Sequence, residues 1–144
     1  NKVNYRVRID ESCKSALSLK AIIQPIVENS IKHNIDVNGE PIFLDISVKE
    51  IDGRLVSVSV TDDGIGFSEA KLAELQQKIK ELNAGVIEYG SRRIGLLNVH
   101  YRLKVYYVSE PDAGIILQNR EDRTGAKVTV LFPLRYGHGG GQHV

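Results

Sequence analysis

The chain contains no methionine and no tryptophan, and its one cysteine, Cys13, has no second thiol with which to form an internal disulfide. Without paired thiols there is no thiolate metal site either, and this cysteine usage fits a reducing compartment. No apolar run approaches the roughly 20 residues needed to cross a bilayer, and no charged start leads into an apolar stretch and a cleavage site. Neither sign of charge is in excess: 19 Lys and Arg stand against 18 Asp and Glu, a formal net charge of +1. No global field therefore marks a polyanion or a membrane surface as partner, and charge-driven binding has to be local. The six tyrosines are scattered without basic interleaving, a poor fit to a nucleic-acid platform. With no initiator methionine and an opening "NKVNYRV" that already reads as a strand, the chain is expected to be a cytosolic piece of a longer protein.

What is present suffices for one core. At 144 residues and 42% hydrophobic content, a single domain over residues 1–135 is expected. The glycine-rich "GHGGGQHV" has no periodicity, so residues 136–144 read as a disordered tail. "VNYRVRI" alternates Val3, Tyr5, Val7 and Ile9 as a half-buried strand does. From Leu19 a helical stripe runs through Ile22, Ile23, Ile26, Val27 and Ile31, with the regular helix expected to begin just before Pro25.

Residues 41–64 hold two alternating runs joined at Asp52 and Gly53, a hairpin signal. "SEAKLAELQQKIKEL" places Leu72, Leu75, Ile79 and Leu82 on one helical face, with Ser68 as N-cap and Glu69 in the first turn. After the glycine-bearing "NAGVIEYGSRR", helical spacing resumes through Leu96, Leu97, Tyr101 and Val105, and two strands around a turn close the domain. Clustered hairpins argue against a parallel doubly wound sheet. They favour an α+β fold: a two-layer sandwich of a mixed, mostly antiparallel sheet with about three helices on one face.

Three segments could carry chemistry. In "PIVENSIKHNI", residues 25–35, Glu28 and Lys32 fall beside each other at about 100° per residue, with Asn29 and His33 at the edge of the apolar stripe. Alone, this reads as a surface ion pair worth roughly 0.2–0.5 kcal/mol. "VTDDGIGF" follows a strand, and Gly64 and Gly66 would let backbone approach a ligand whose amino group the acids could accept. Alone, it reads as a turn. In "YGSRRIGLLN" a glycine loop runs into a helix start, where free N–H groups and the helix dipole suit phosphate and Arg92 and Arg93 add charge. Neither a dinucleotide fingerprint nor a Walker-type loop occurs.

Taken in order, E-N-x-x-K-H on a helix, D-x-G-x-G after a strand, I-G-L-x-N at a helix start and a final T-G-A-K-V strand resemble the ATP-binding fold of sensor histidine kinases. DNA gyrase, the ninety-kilodalton heat-shock chaperones and MutL-type repair proteins share that Bergerat fold. "IIQPIVENSIKHNI" and "IGLLNVHYRL" look most like the YesM and LytS branch, and the resemblance runs from about Tyr5 to Leu134.

The resemblance implies roles for individual residues. Asn29 matches the asparagine that ligates magnesium, and Glu28 the acid that acts as general base or orients the phosphate acceptor. Lys32 and His33 match positions facing the phosphates. Asp62 matches the aspartate that accepts from the adenine amino group, with Gly64 and Gly66 shaping the wall of that pocket. Gly95, Leu96 and Asn98 match the second glycine box at the phosphates, and Thr124 to Ala126 the segment behind the adenine. Three departures stand out: Ser91 and Arg93 occupy positions where relatives commonly carry glycine, Ala126 removes a hydroxyl, and "VYYVSEPDAG" replaces the commoner "YG" turn after the last helix.

The resemblance thus implies a histidine kinase catalytic domain that binds ATP and Mg2+. It would donate the γ-phosphate to a histidine on a separate upstream dimerisation domain, from which a response regulator takes it. The full-length protein is expected to be a membrane-anchored homodimer, with this domain cytoplasmic and touching neither membrane nor nucleic acid. A regulatory nucleotide-binding module without phosphoryl transfer is the alternative. His100, His138 and His143 lack the acidic helical context of a phosphoacceptor and read as structural; Cys13 reads as incidental.

Overall fold

The computed structural model describes residues 3–14, 19–34, 41–85 and 95–134. In chain order these form β1 (Val3–Ile9), a 3-10 turn (Glu11–Cys13), α1 (Leu19–Asn34), β2 (Ile42–Ile51), β3 (Leu55–Asp62), α2 (Glu69–Asn83), α3 (Leu96–Tyr106), β4 (Gly114–Asn119) and β5 (Ala126–Pro133). The strands make one sheet in the order β1-β2-β3-β5-β4. Only β1 and β2 run parallel, because α1 connects them and parallel neighbours need such a crossover; every other pair is antiparallel. The expected α+β sandwich is the fold observed.

Sheet register explains where the core sits. Val56, Val58 and Val60 of β3 stand opposite Phe132, Val130 and Val128 of β5, so one face collects the branched side chains. Ile22 and Ile26 of α1 and Leu96, Val99 and Leu103 of α3 pack in the same cluster. The opposite face carries Ser57, Ser59, Thr61 and Thr129, with Ser59 and Thr129 hydroxyls 3.4 Å apart. Cys13, expected to be incidental, is a fully buried member of the core.

Local chemistry sets the ends of elements. The β2–β3 turn closes with an Arg54 N–H to Ile51 carbonyl bond of 3.0 Å, and Asp52 and Gly53 both take positive φ. Ser68 caps α2 by accepting from the Lys71 N–H at 3.1 Å, as its sequence position implied. On the open face Asp45 receives Arg6 and Arg8 at 3.0 and 3.2 Å, tying β1 to β2. Burial pushes the Asp45 carboxyl up, but the two guanidiniums outweigh it and hold it below the usual carboxylate range.

Three expectations need correction. Pro25 lies inside α1, which begins six residues earlier, at Leu19. The proline withholds an N–H from Ala21, but Ala21 is exposed and its carbonyl can turn to water, while buried Ile22 and Ile26 hold the helix on either side. On α3, Tyr101 and Val105 point outward at 38% and 59% exposure, and the buried stripe is Leu96, Leu97, Val99, His100 and Leu103. A histidine interrupts the apolar pattern there, and only its partners reveal that it belongs inside. Finally, Tyr5, Val7 and Ile9 share the helix-side face with Leu44, Ile46 and Val48 yet remain exposed, because β1 is an edge strand beyond the described helices.

Candidate functional site

The last turns of α1 bring Glu28, Asn29, Lys32 and His33 to a cavity of about 610 Å³ that Gly95, Leu96 and Leu97 close from the start of α3. Glu28 accepts from the Gln24 amide at 3.0 Å and, among the described residues, makes no ion pair with Lys32. The surface-pair reading of this helix therefore fails. Both charged groups face the cavity instead.

Gly95 takes φ 76° and ψ −142°, a conformation that a side-chain-bearing residue rarely adopts, and so turns the chain directly into α3. Helix geometry leaves the first N–H groups of α3 without intrahelical partners, and the helix dipole adds partial positive charge at the same end. A Cβ at Gly95 would stand 3.7 Å from Asn29 Oδ1, so the amide of α1 and the backbone of this turn are neighbours. Oxygen, cationic and N–H groups thus converge on one space. This is the donor set that polyphosphate requires.

A second cluster lies behind the first. Asp62, at the end of β3, is 5% exposed. Its Oδ2 accepts from the Ser30 hydroxyl at 2.8 Å, and its Oδ1 from the N–H groups of Gly64 at 2.9 Å and Ala126 at 3.1 Å. A carboxylate offers about four acceptor sites, so three bonds leave one for a ligand's N–H. Asp63, the other acid of the pair, is turned away and accepts from the Phe43 N–H at 2.8 Å.

The loop after Asp62 is pinned by three side chains, two from the end of α1 and one from the end of β4. Asn34 accepts from the Ile65 N–H at 3.1 Å and donates to the Ser30 carbonyl at 2.8 Å. Asn119 bonds both the N–H and the carbonyl of Phe67 at 2.8 Å. His33 donates from Nε2 to the Gly66 carbonyl at 3.1 Å, and its ring leans on Phe67 with centroids 6.0 Å apart. Gly64 packs so closely on the Asn34 amide that any Cβ would collide with it.

Of the residues singled out from the sequence, Glu28, Asn29, Lys32, His33, Gly95 and Leu96 line the cavity. Asp62, Gly64, Gly66 and Ala126 gather in the second cluster, and His33 and Ser30 join the two through their bonds to Gly66 and Asp62. Asn98 is partly buried on α3 and does not line the cavity. Ser91, Arg92, Arg93, His138, His143 and the tail 136–144 lie outside the described residues.

Sequence reasoning missed Ser30, Asn34, Asn119 and Arg120, whose guanidinium donates to the Asp62 carbonyl at 3.2 Å. Ser30 and Asn34 sat in plain view inside "ENSIKHN", at the i, i+4 spacing that puts them on one seam with Asp62. His100 is structural, as read: 2% exposed, it donates from Nε2 to Asn83 Oδ1 at 2.7 Å and accepts at Nδ1 from the Ile115 N–H at 3.0 Å. Burial, with Lys104 adding to it, pushes its pKa down from 6.5 to about 4.

Among the described residues no group of three or more His, Cys, Asp or Glu could cage a metal. The oxygen donors facing the cavity are Asn29 and Glu28. They suit a magnesium ion that keeps most of its ligands as water and phosphate oxygens, and not an all-protein calcium-type cage. No helix among the described residues is long and apolar enough to cross a membrane.

Residues 14–136 match the model of the histidine kinase-, DNA gyrase B- and HSP90-like ATPases. The chain is 28% identical over 135 residues to the sensor protein LytS of Oceanobacillus iheyensis, covering 94% of the chain and 22% of that protein. It is 26% identical over 137 residues to the sensor protein kinase HptS of Staphylococcus aureus, covering 94% of the chain and 24% of HptS. It therefore spans less than a quarter of the length of these curated relatives. The catalytic domain of histidine kinase ThkA has a similar fold, with a TM-score of 0.56 at 19% identity, covering 92% of the chain and 78% of that domain. ThkA has also been solved in complex with the response regulator protein TrrA, with a TM-score of 0.54 to this chain at 20% identity, over 92% of the chain and 34% of that one.

Proposed function

The chain belongs to the histidine kinase-, DNA gyrase B- and HSP90-like ATPase family, and from that membership we propose that it is the ATP-binding catalytic domain of a two-component sensor histidine kinase. The observation that carries this reading is the convergence of the α1 seam and the Gly95 turn on one cavity, joined through Ser30 and His33 to the buried Asp62. The free acceptor site of Asp62 receives the exocyclic amino group of adenine. Gly64, Gly66 and Ala126 form the backbone wall around it. The triphosphate then lies toward Asn29, Lys32 and the N–H groups at Gly95 and Leu96, with Arg92 and Arg93 as further cations.

Phosphoryl transfer asks the protein for alignment and charge neutralisation more than for covalent chemistry. Lys32 and the α3 N-terminus neutralise the phosphates, and Asn29 would hold magnesium, with Glu28 beside it. Bound there, magnesium would supply the remaining positive charge and fix the phosphate geometry. Glu28 orients the accepting imidazole or takes its proton. That imidazole belongs to an upstream dimerisation domain; its nitrogen attacks the γ-phosphorus as the bond to the β-phosphate oxygen breaks and ADP leaves. A response regulator is the onward acceptor, a role supported by the ThkA complex with TrrA. The domain works on the cytoplasmic side of a membrane-anchored homodimer.

A regulatory module that binds nucleotide without transfer is favoured by one feature, Ser91 and Arg93 in place of the usual glycines. Mixing the chain, labelled ATP and magnesium with a separate protein carrying the helical dimerisation domain separates the two. Label on the histidine of the helical domain is the expected result; nucleotide binding with no label there rejects the kinase.

A further inference from the structure

The wall of the cavity on the α2 side was not anticipated from the sequence. Lys71, Leu75 and Lys78 stand at i, i+4 and i+7 on one face of α2 and line the same cavity as Lys32. Leu75 is packed against the core, so the two lysines flank a fixed point. α2 itself is tied down at two places: Gln76 donates to the Leu117 carbonyl at 2.9 Å, and Asn83 Oδ1 accepts from His100 Nε2 at 2.7 Å. The lysines are therefore presented by an anchored helix.

Their counter-ion is Glu74, which does not line the cavity. Its two carboxyl oxygens sit 3.8 Å from the Lys71 ammonium and 3.2 Å from that of Lys78. Lys71 is 55% exposed, Lys78 33% and Glu74 49%, and pairs this open to water contribute little net energy. A polyphosphate, with more charge in a smaller volume, outcompetes one shared carboxylate. Among the described residues, the charged side chains lining the cavity are the cationic Lys32, Lys71 and Lys78 and the acidic Glu28.

We propose that Lys71 and Lys78 form a second phosphate-binding wall, facing the α1 seam, and that Glu74 is the counter-ion which the polyphosphate of the nucleotide displaces. This rests on the reading that the cavity takes ATP, and it assigns α2 a part in holding the phosphates that the seam alone does not have. The wall selects for polyphosphate length and is indifferent to the base.

The test is equilibrium titration of the chain with ATP, adenosine and inorganic tripolyphosphate, repeated on Lys71→Gln/Lys78→Gln and on Glu74→Gln. The double variant should bind ATP and tripolyphosphate about tenfold more weakly with adenosine unchanged, and Glu74→Gln should bind both about twofold more tightly, as expected for exposed charge pairs. Unchanged ATP and tripolyphosphate affinity in the double variant, or a parallel loss of adenosine, overturns the wall. If the unaltered chain holds tripolyphosphate through these lysines but takes ATP no better and adenosine not at all, the wall stands and the adenine-nucleotide reading fails.

Discussion

Asp62 shows how much one side chain has to reconcile. Its carboxylate serves Ser30, Gly64 and Ala126 at once while the proposed function asks it to accept an adenine amino group as well. Asp62→Asn can keep the Gly64 and Ala126 bonds on its remaining oxygen and reverse the bond to the Ser30 hydroxyl, but it puts a donor where the ligand's amino group needs an acceptor, at a cost of about 1–3 kcal/mol. ATP affinity should fall at least tenfold and the preference for ATP over GTP should shrink, measured by competition titration; an equal loss for both nucleotides would remove the adenine contact. Asn29 is partly buried beside Gly95, and among the described residues its amide makes no side-chain hydrogen bond that holds an element in place. Asn29→Ala should therefore keep the melting temperature and lose the magnesium-dependent part of ATP affinity, read as the difference between titrations with and without magnesium. Both residues were legible in the sequence because each stands in a motif. Asn119 was not: its bonds to Phe67 cross 52 positions, and nothing in the sequence near either residue announces the pairing.

Among elements, α3 teaches the most. Its stripe was legible except for one turn, where the apolar spacing pointed to Tyr101 and Val105 and the chain instead buries His100. The imidazole can be inside because both ring nitrogens are bonded, one to the end of α2 and one to β4. That burial has a pH consequence. The folded pKa is about 4 against an ordinary 6.5, so between these values the unfolded chain binds more protons and stability falls as pH is lowered. The contribution is fully present above 6.5 and, with a shift from 6.5 to about 4, amounts to about 3 kcal/mol lost by the bottom of that window. Urea unfolding at several pH values should show this slope in the unaltered chain and a smaller one in His100→Gln. Equal slopes would mean that the imidazole is not held neutral. α1 carries a similar lesson: Pro25 suggested a start, but two buried isoleucines outweigh one missing hydrogen bond.

At the scale of the whole molecule, the order of strands, helices and hairpins was legible because alternation and helical spacing are local properties. The lateral order β1-β2-β3-β5-β4 was not, since it depends on which edges meet after the chain has crossed the sheet. The exposure of Tyr5, Val7 and Ile9 was hidden for the same reason: alternation names the face a residue shares, and only the assembled layers say whether that face is covered. The site follows this pattern. Three weak segments, separated by more than 20 residues each, become one cavity with an adjoining buried acid only when the sheet brings β3, α1 and the start of α3 together. Mapping backbone amide shifts by NMR during titration with magnesium and ATP tests that convergence directly. The largest changes should fall on Asn29, Asp62, Gly64, Gly95 and Leu96 together, whereas no binding, or changes centred on the open face at Ser57, Ser59 and Thr129, would contradict it.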